Sequence, residues 1–173
     1  MVYGSGHQKV MKHIVIDNFF DDFNNIEHHF NTIKLYTLAQ YRKQFDENSN
    51  WPGRRSDYLH RSEPFLYNLY NKEFKKFELK GKYNVDSFVH LRENKKDDFP
   101  HRDNQYGIEY TCLIYLSISN LNSGTYLLSD DKKVITDVKF VQNRAFLFDS
   151  RYLHTAYGHH PGRLTLNTFY HRK

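Results

Sequence analysis

His101 and Asp103, two residues apart in "FPHRDNQYGIEY", are residue types that can share one metal ion. On an extended backbone residues i and i+2 point the same way, so an imidazole and a carboxylate at this spacing can reach a common ion. A non-haem iron site needs one more imidazole, with the opposite side of the metal left open. His154, in "FLFDSRYLHTAYG", follows a strongly apolar run and is the candidate third ligand. Arg163 comes nine residues later and opens the run "RLTLNTFY". The letters His-Arg-Asp also begin the catalytic loop of protein kinases. That reading fails, because such a loop needs Asn where Ile108 stands, and neither a glycine-rich nucleotide loop nor an Asp-Phe-Gly accompanies it.

Ligands drawn from distant parts of the chain need strands to bring them together. From residue 82 onward, "KYNVDSFVHL", "IEYTCLIYLSI", "GTYLLSD", "KKVITDVKF", "RAFLFDS" and "RLTLNTFY" are short, β-branched and aromatic runs separated by turns. Upstream, "HIVIDNFF" (13–20) is a short β-rich run, and Asp21 or Asp22 caps an expected helix through "DDFNNIEHHFNTIKLY". Pro, Gly and polar residues make 46–62 a loop, and a second helix is expected over 63–79, with Pro64 in its first turn and Phe65, Leu69, Phe74 and Phe77 near helical spacing. The plan is α+β, with helices bracing an antiparallel barrel or sandwich.

The 173 residues suit one domain, 1–173, in which 1–81 gives helical support and a substrate loop and 82–173 gives the β core. The single cysteine, Cys112, excludes an internal disulfide. The first residues lack the apolar run of a signal peptide, and no stretch approaches the roughly 18 apolar residues of a membrane span. A cytoplasmic protein is expected. Net charge is +5, from 25 basic and 20 acidic residues spread along the chain, so neither a nucleic-acid partner nor a membrane is expected. Oligomeric state is not legible.

Residues 82–173 resemble the core of the iron(II)- and 2-oxoglutarate-dependent oxygenases, whose fold is a double-stranded β-helix, or jelly roll. "HRDN", "TCLIYLS", "SGTYLL", "FLFDSRYLH" and "RLTLNTFY" find counterparts in order, and "IVIDNFFDDF" is similar to the usual opening strand and helix. The nearest branch is that of the prolyl hydroxylases. The resemblance implies that His101, Asp103 and His154 hold Fe(II), with 2-oxoglutarate and dioxygen taking the open positions. It assigns Arg163 and Tyr115 to the distal carboxylate of 2-oxoglutarate. Thr111, Leu113 and Tyr115 share one strand face, as do Arg163, Thr165, Asn167 and Phe169, so Thr111 and Thr165 are expected beside the cosubstrate and Leu113, Asn167 and Phe169 in the pocket wall.

The implied reaction is oxidative decarboxylation of 2-oxoglutarate to succinate and CO2, coupled to hydroxylation of a C–H bond. A prolyl residue in a peptide or protein is the expected substrate, with a free amino acid or small metabolite as the alternative. A reading of another class is a non-catalytic jelly-roll binding module with structural or zinc-holding histidines. Leu91 stands where many prolyl hydroxylases place a cosubstrate tyrosine, and strict alternation turns its neighbour His90 to the other face. Asp103 argues against the halogenating branch, and Phe169 stands where nucleic-acid demethylases carry a second Arg. Trp51, Arg54 and Arg55 in "WPGRRS" are candidates for a substrate entrance and a movable lid over 51–56. His28 and His29 read as surface, and His159 and His160 as a hairpin turn near the pocket mouth.

Overall fold

The aromatic and β-branched runs form two antiparallel sheets, and one face of each supplies the site. The computed structural model describes residues 13–51, 53–93, 99–158 and 161–173. Pro52, His159 and His160 lie outside the described residues. The strands are β1 (His13–Ile16), β2 (Tyr36–Thr37), β3 (Arg54–Arg55), β4 (Tyr83–Arg92), β5 (Ile108–Tyr115), β6 (Asn120–Leu128), β7 (Val134–Phe140), β8 (Ala145–Asp149), β9 (Leu153–Tyr157) and β10 (Arg163–Arg172). The larger sheet has seven strands in the order β1-β8-β5-β10-β4-β3-β2, and the smaller has three in the order β7-β6-β9. Fold class is therefore α+β with a jelly-roll core, as expected.

Side-chain alternation divides the larger sheet into two faces. Val89, Cys112, Ile114, Leu147, Leu164, Leu166 and Tyr170 face outward and pack beneath Phe19, Phe20, Phe23, Ile26 and Phe30 and the helical residues Leu66 and Tyr70. Tyr115, Phe146 and Phe148 face inward, onto Leu127, Val138 and Phe140 of the smaller sheet. Phe19 and Phe20 are fastened by one residue, the buried Asn143 at the β7–β8 turn. Its side chain accepts from Phe20 N–H and donates to Phe20 C=O, each at 2.9 Å, while its own carbonyl accepts from Phe19 N–H at 2.9 Å.

The helices are α1 (Phe23–Thr32), α2 (Leu38–Gln44), α3 (Leu59–Ser62) and α4 (Pro64–Glu73), the last continued by a 3-10 turn, Phe74–Phe77. Three expectations are corrected. The first helix stops at Thr32 instead of running to 36, and α2 follows, opened by a capping box between Thr37 and Gln40. Asp22 is the N-cap of α1, yet its carboxylate makes no backbone cap bond; it accepts from the Asn25 side chain. Helix α4 does begin at Pro64, but it buries Leu66 and Tyr70 while Phe65 is exposed.

The 46–62 segment is also more ordered than a loop. Its β3 pairs with the open edge of β4, and Ser56 closes the ladder: its N–H donates to Val89 O and its Oγ accepts from Val89 N–H. An edge strand offers unpaired backbone groups, and a two-residue strand is enough to use them. Among the described residues, no helix is long and apolar enough to cross a membrane.

Candidate active site

His101 lies in the irregular stretch before β5, and backbone hydrogen bonds join it to β9. His101 N–H donates to His154 O at 3.0 Å and His154 N–H donates to His101 O at 2.9 Å. This bridge sets the two imidazoles beside each other, ring centres 4.3 Å apart. Ligand atoms of His101, Asp103 and His154 all lie within 4.8 Å of one another. The His101 and His154 Nε2 atoms stand 3.7 and 3.5 Å from the two oxygens of Asp103. Each Nδ1 faces a carbonyl, Phe99 O at 3.0 Å and Tyr152 O at 3.2 Å. A carbonyl only accepts, so Nδ1 carries the proton and each Nε2 presents its lone pair to the site.

The surroundings hold this geometry. Thr111 Oγ1 donates to Asp103 Oδ2 at 2.7 Å, and Asp103 N–H donates to Ser150 O at 3.2 Å. Arg102, between the two ligands, turns away; its Nε donates to Arg151 O at 2.9 Å and its guanidinium pairs with Asp130. The segment is thereby tied to the turn between β8 and β9. Thr111 differs from its expected part: its hydroxyl donates to the Asp103 carboxylate, where the sequence reading set it beside the cosubstrate.

A small cleft of about 80 Å³ opens beside His154 of the triad. His154, Leu113, Arg163, Thr165 and Asn167 line it as expected, and His90, Arg92, Thr125 and Ala156 join them. Arg163 is buried, and its guanidinium donates to Gly124 O at 2.9 Å and to Thr125 Oγ1 at 3.1 Å. Tyr115 Oη donates to that same Thr125 Oγ1 at 2.9 Å. Tyr115 is stacked on Phe140, and its hydroxyl meets the cleft-lining Thr125. Burial raises the phenol's pKa while Arg163 pulls it back, and the hydroxyl remains a donor. Thr125 was readable only from the alternation of β6, where it shares the inward face with Leu127.

The assignment at β4 is reversed. Leu91 stands opposite Leu164 and His90 opposite Thr165, and directly opposed residues share a face. Leu91 therefore packs against the outer core, and His90 faces the cleft. Phe169 points inward too, but against Phe88 at 5.8 Å and outside the cleft lining. Arg54 and Arg55 part ways for the same reason of alternation. Arg54 lies opposite Leu91, half-exposed and paired with Glu93 at 2.9 Å, which removes it from the entrance. Arg55 lies opposite His90, buried beneath Trp51 and Tyr41. His28 and His29 are ring neighbours on α1, away from the triad.

No known sequence-family profile matches the chain, and no curated protein matches it by sequence. Solved structures do match by shape. A prolyl-4-hydroxylase from Pseudomonas putida is 13% identical with a TM-score of 0.61, covering 95% of this chain and 94% of that one. The viral collagen prolyl hydroxylase of Paramecium bursaria Chlorella virus-1, solved with 2-oxoglutarate, is 16% identical with a TM-score of 0.62, covering 91% and 94%. HygX from Streptomyces hygroscopicus, solved with nickel and 2-oxoglutarate, is 11% identical with a TM-score of 0.65, covering 92% and 82%. By its strand order and by these likenesses, the chain has the fold of the 2-oxoglutarate and iron(II) oxygenases.

Proposed function

We propose that the protein is an iron(II)- and 2-oxoglutarate-dependent hydroxylase whose substrate is a prolyl residue in a peptide or protein. The observation that carries this reading is that a His-Asp-His ligand set and a buried arginine face one cleft. The donor set fits Fe(II): two imidazole nitrogens and one carboxylate, with both histidine tautomers fixed by carbonyls. The spacing fits the cosubstrate. Thr125, which accepts from Arg163, stands opposite Ala156, and Ala156 is two residues along β9 from His154. Two residues of strand span about 7 Å, within reach of a five-carbon dicarboxylate held by the metal at one end and the guanidinium at the other. The prolyl assignment is favoured by the prolyl hydroxylases among the fold's matches.

Bound iron with 2-oxoglutarate and dioxygen would supply the oxidising power, giving succinate, CO2 and a hydroxylated product. The chain's own residues do the rest. Thr111 orients Asp103, Arg163 and Thr125 anchor the distal carboxylate, and Leu113 and Ala156 exclude water from the cleft wall. The test is succinate formation with Fe(II) and 2-oxoglutarate, followed by mass spectrometry for a +16 Da product across proline peptides and free amino acids. Wild type should form succinate and His154→Ala should not. Equal rates in the two would sink the assignment, and a product only from free amino acids would move the substrate to that class.

A further inference from the structure

Three alternate residues of β10 line the cleft, Arg163, Thr165 and Asn167, and Asn167 is the farthest along the strand from Arg163. Four residues of strand separate the two, which is about 13 Å. The length of wall given to the cosubstrate, between the guanidinium and the metal, is only about 7 Å. Asn167 stands past it, in a row that β5 continues with Leu113 and β4 with Phe88. The next inward row joins Phe169 to Thr111, whose hydroxyl donates to Asp103. Asn167 is thus at the metal end of the cleft and outside the span of the cosubstrate.

The side-chain amide of Asn167 has a fixed direction. Thr165 Oγ1 donates to Asn167 Oδ1 at 2.7 Å, so the carbonyl end of the amide is turned back along β10. The N–H2 end is left for the cleft, and among the described residues no acceptor meets it. Asn167 is only half-buried, so a ligand can reach it. Donors shielded from water are normally satisfied, and here the partner has to come from the ligand. The cross-strand neighbours Leu113 and Phe88 are apolar, and none of the residues lining the cleft is a carboxylate. This part of the wall therefore offers one oriented donor beside apolar surface.

A prolyl amide has the matching chemistry. Its nitrogen carries no hydrogen, so the bond before a proline brings a carbonyl acceptor, no donor and an apolar ring. Any other residue brings an N–H that this wall does not accept, at a cost in affinity. We propose that Asn167, oriented by Thr165, is a specificity residue that reads the acyl group before the target proline. Its Nδ2–H donates to that carbonyl, and the pyrrolidine ring lies against Leu113. This rests on the hydroxylase reading above and narrows it. Free proline has no acyl carbonyl and presents an ammonium in its place, which only donates.

The test loads the protein with Mn(II) and 2-oxoglutarate and titrates it by calorimetry with matched probes. They are acetyl-Ala-Pro-Ala-amide, the same peptide with sulfur in place of the Ala–Pro carbonyl oxygen, its Ala-Ala-Ala counterpart, and free proline. Sulfur is a poor acceptor of similar shape, so wild type should bind the oxygen peptide about tenfold tighter than the thioamide. The Ala peptide and free proline should bind more weakly than the oxygen peptide. Asn167→Leu should weaken the oxygen peptide about tenfold and bring it level with the thioamide, whereas loss of a purely structural residue would weaken both alike. Thr165→Val, which frees the amide to turn, should narrow the gap several-fold, and Asn167→Ala serves if Asn167→Leu does not fold. Equal binding of the oxygen and sulfur peptides by wild type, or a gap that persists in the Asn167 variants, overturns the proposal. So does binding of the Ala peptide or of free proline as tight as that of the oxygen peptide. Absence of any peptide binding overturns it too, and succinate formation then decides whether the hydroxylase reading stands. Asn167-dependent preference for the oxygen peptide in a protein that forms no succinate supports Asn167 as the reader of the carbonyl and overturns the hydroxylase reading instead.

Discussion

In the proposed hydroxylase Arg163 and Thr111 serve opposite ends of the cleft, and their separate loss should have separate effects. Arg163 donates to Gly124 O and Thr125 Oγ1. Arg163→Ala should therefore spare metal binding and weaken 2-oxoglutarate by a factor of hundreds, since losing one partner of a buried charge pair costs about 3–5 kcal/mol. Arg163→Lys should recover part of it, returning charge without the fork. Anaerobic calorimetry with each ligand checks both. Thr111→Val should do the reverse. It removes the donor on Asp103 Oδ2, and supporting partners of metal ligands are worth roughly 10–100-fold in metal affinity. Unchanged metal affinity with weakened 2-oxoglutarate would return Thr111 to the cosubstrate. The sequence offered the triad through the His-x-Asp spacing and the later His154, although His101 and Asp103 sit in an irregular stretch and not on a regular strand. Thr111's partner was not legible, since a strand face shows where a hydroxyl points and not which of two acceptors it meets.

At the scale of elements, β3 depends on one glycine. Gly53 has φ +85, and a Cβ there would stand 2.2 Å from Leu91 O in the neighbouring strand. Gly53→Ala should pull β3 from β4 and cost about 2 kcal/mol or more. A red shift of Trp51 emission together with a lower unfolding midpoint checks it; an unshifted spectrum would mean that β3 stays in place. The opposite edge has an electrostatic tie, Arg144 to Asp17 at the end of β1. The guanidinium holds the Asp17 carboxyl below its ordinary 3.8. A lowered carboxylate stabilises the fold above its unfolded pKa, and that share disappears as pH falls from 3.8 through the folded value. Arg144→Gln should flatten stability against pH in that acid window only, by no more than about 1 kcal/mol, since Asp17 is half-exposed. Acid-unfolding curves of both proteins make the comparison. The long strands were legible through alternation, whereas β2 and β3 are too short to carry a period. His90 and Leu91 were exchanged because β4 takes its register from β10, and the count of residues back from His101 does not fix it.

For the whole molecule, the larger sheet separates two interiors. The outer one, where Phe19, Phe30 and Tyr70 pack beneath the helices, supplies apolar burial, and the inner one supplies the site. Phe30→Ala should therefore cost about 3–5 kcal/mol of stability and leave metal affinity in the folded protein unchanged. Denaturant titration beside metal titration tests the separation, and a matching loss of metal affinity would show that the two interiors are coupled. The α+β plan was legible because composition changes from helical spacing to β-branched runs near residue 82. The helix lengths were not, since sheet contacts and local caps such as Thr37–Gln40 decide where each helix stops.

The His101–His154 bridge also dictates an order of events. A chain under synthesis exposes His101 and Asp103 while His154 is still unmade, and two ligands alone close no site. The bridge waits until β9 lies along β6, with His154 set against Leu127. Backbone hydrogen bonds then join the two histidines. The three side chains of the triad therefore come together only as the smaller sheet is completed.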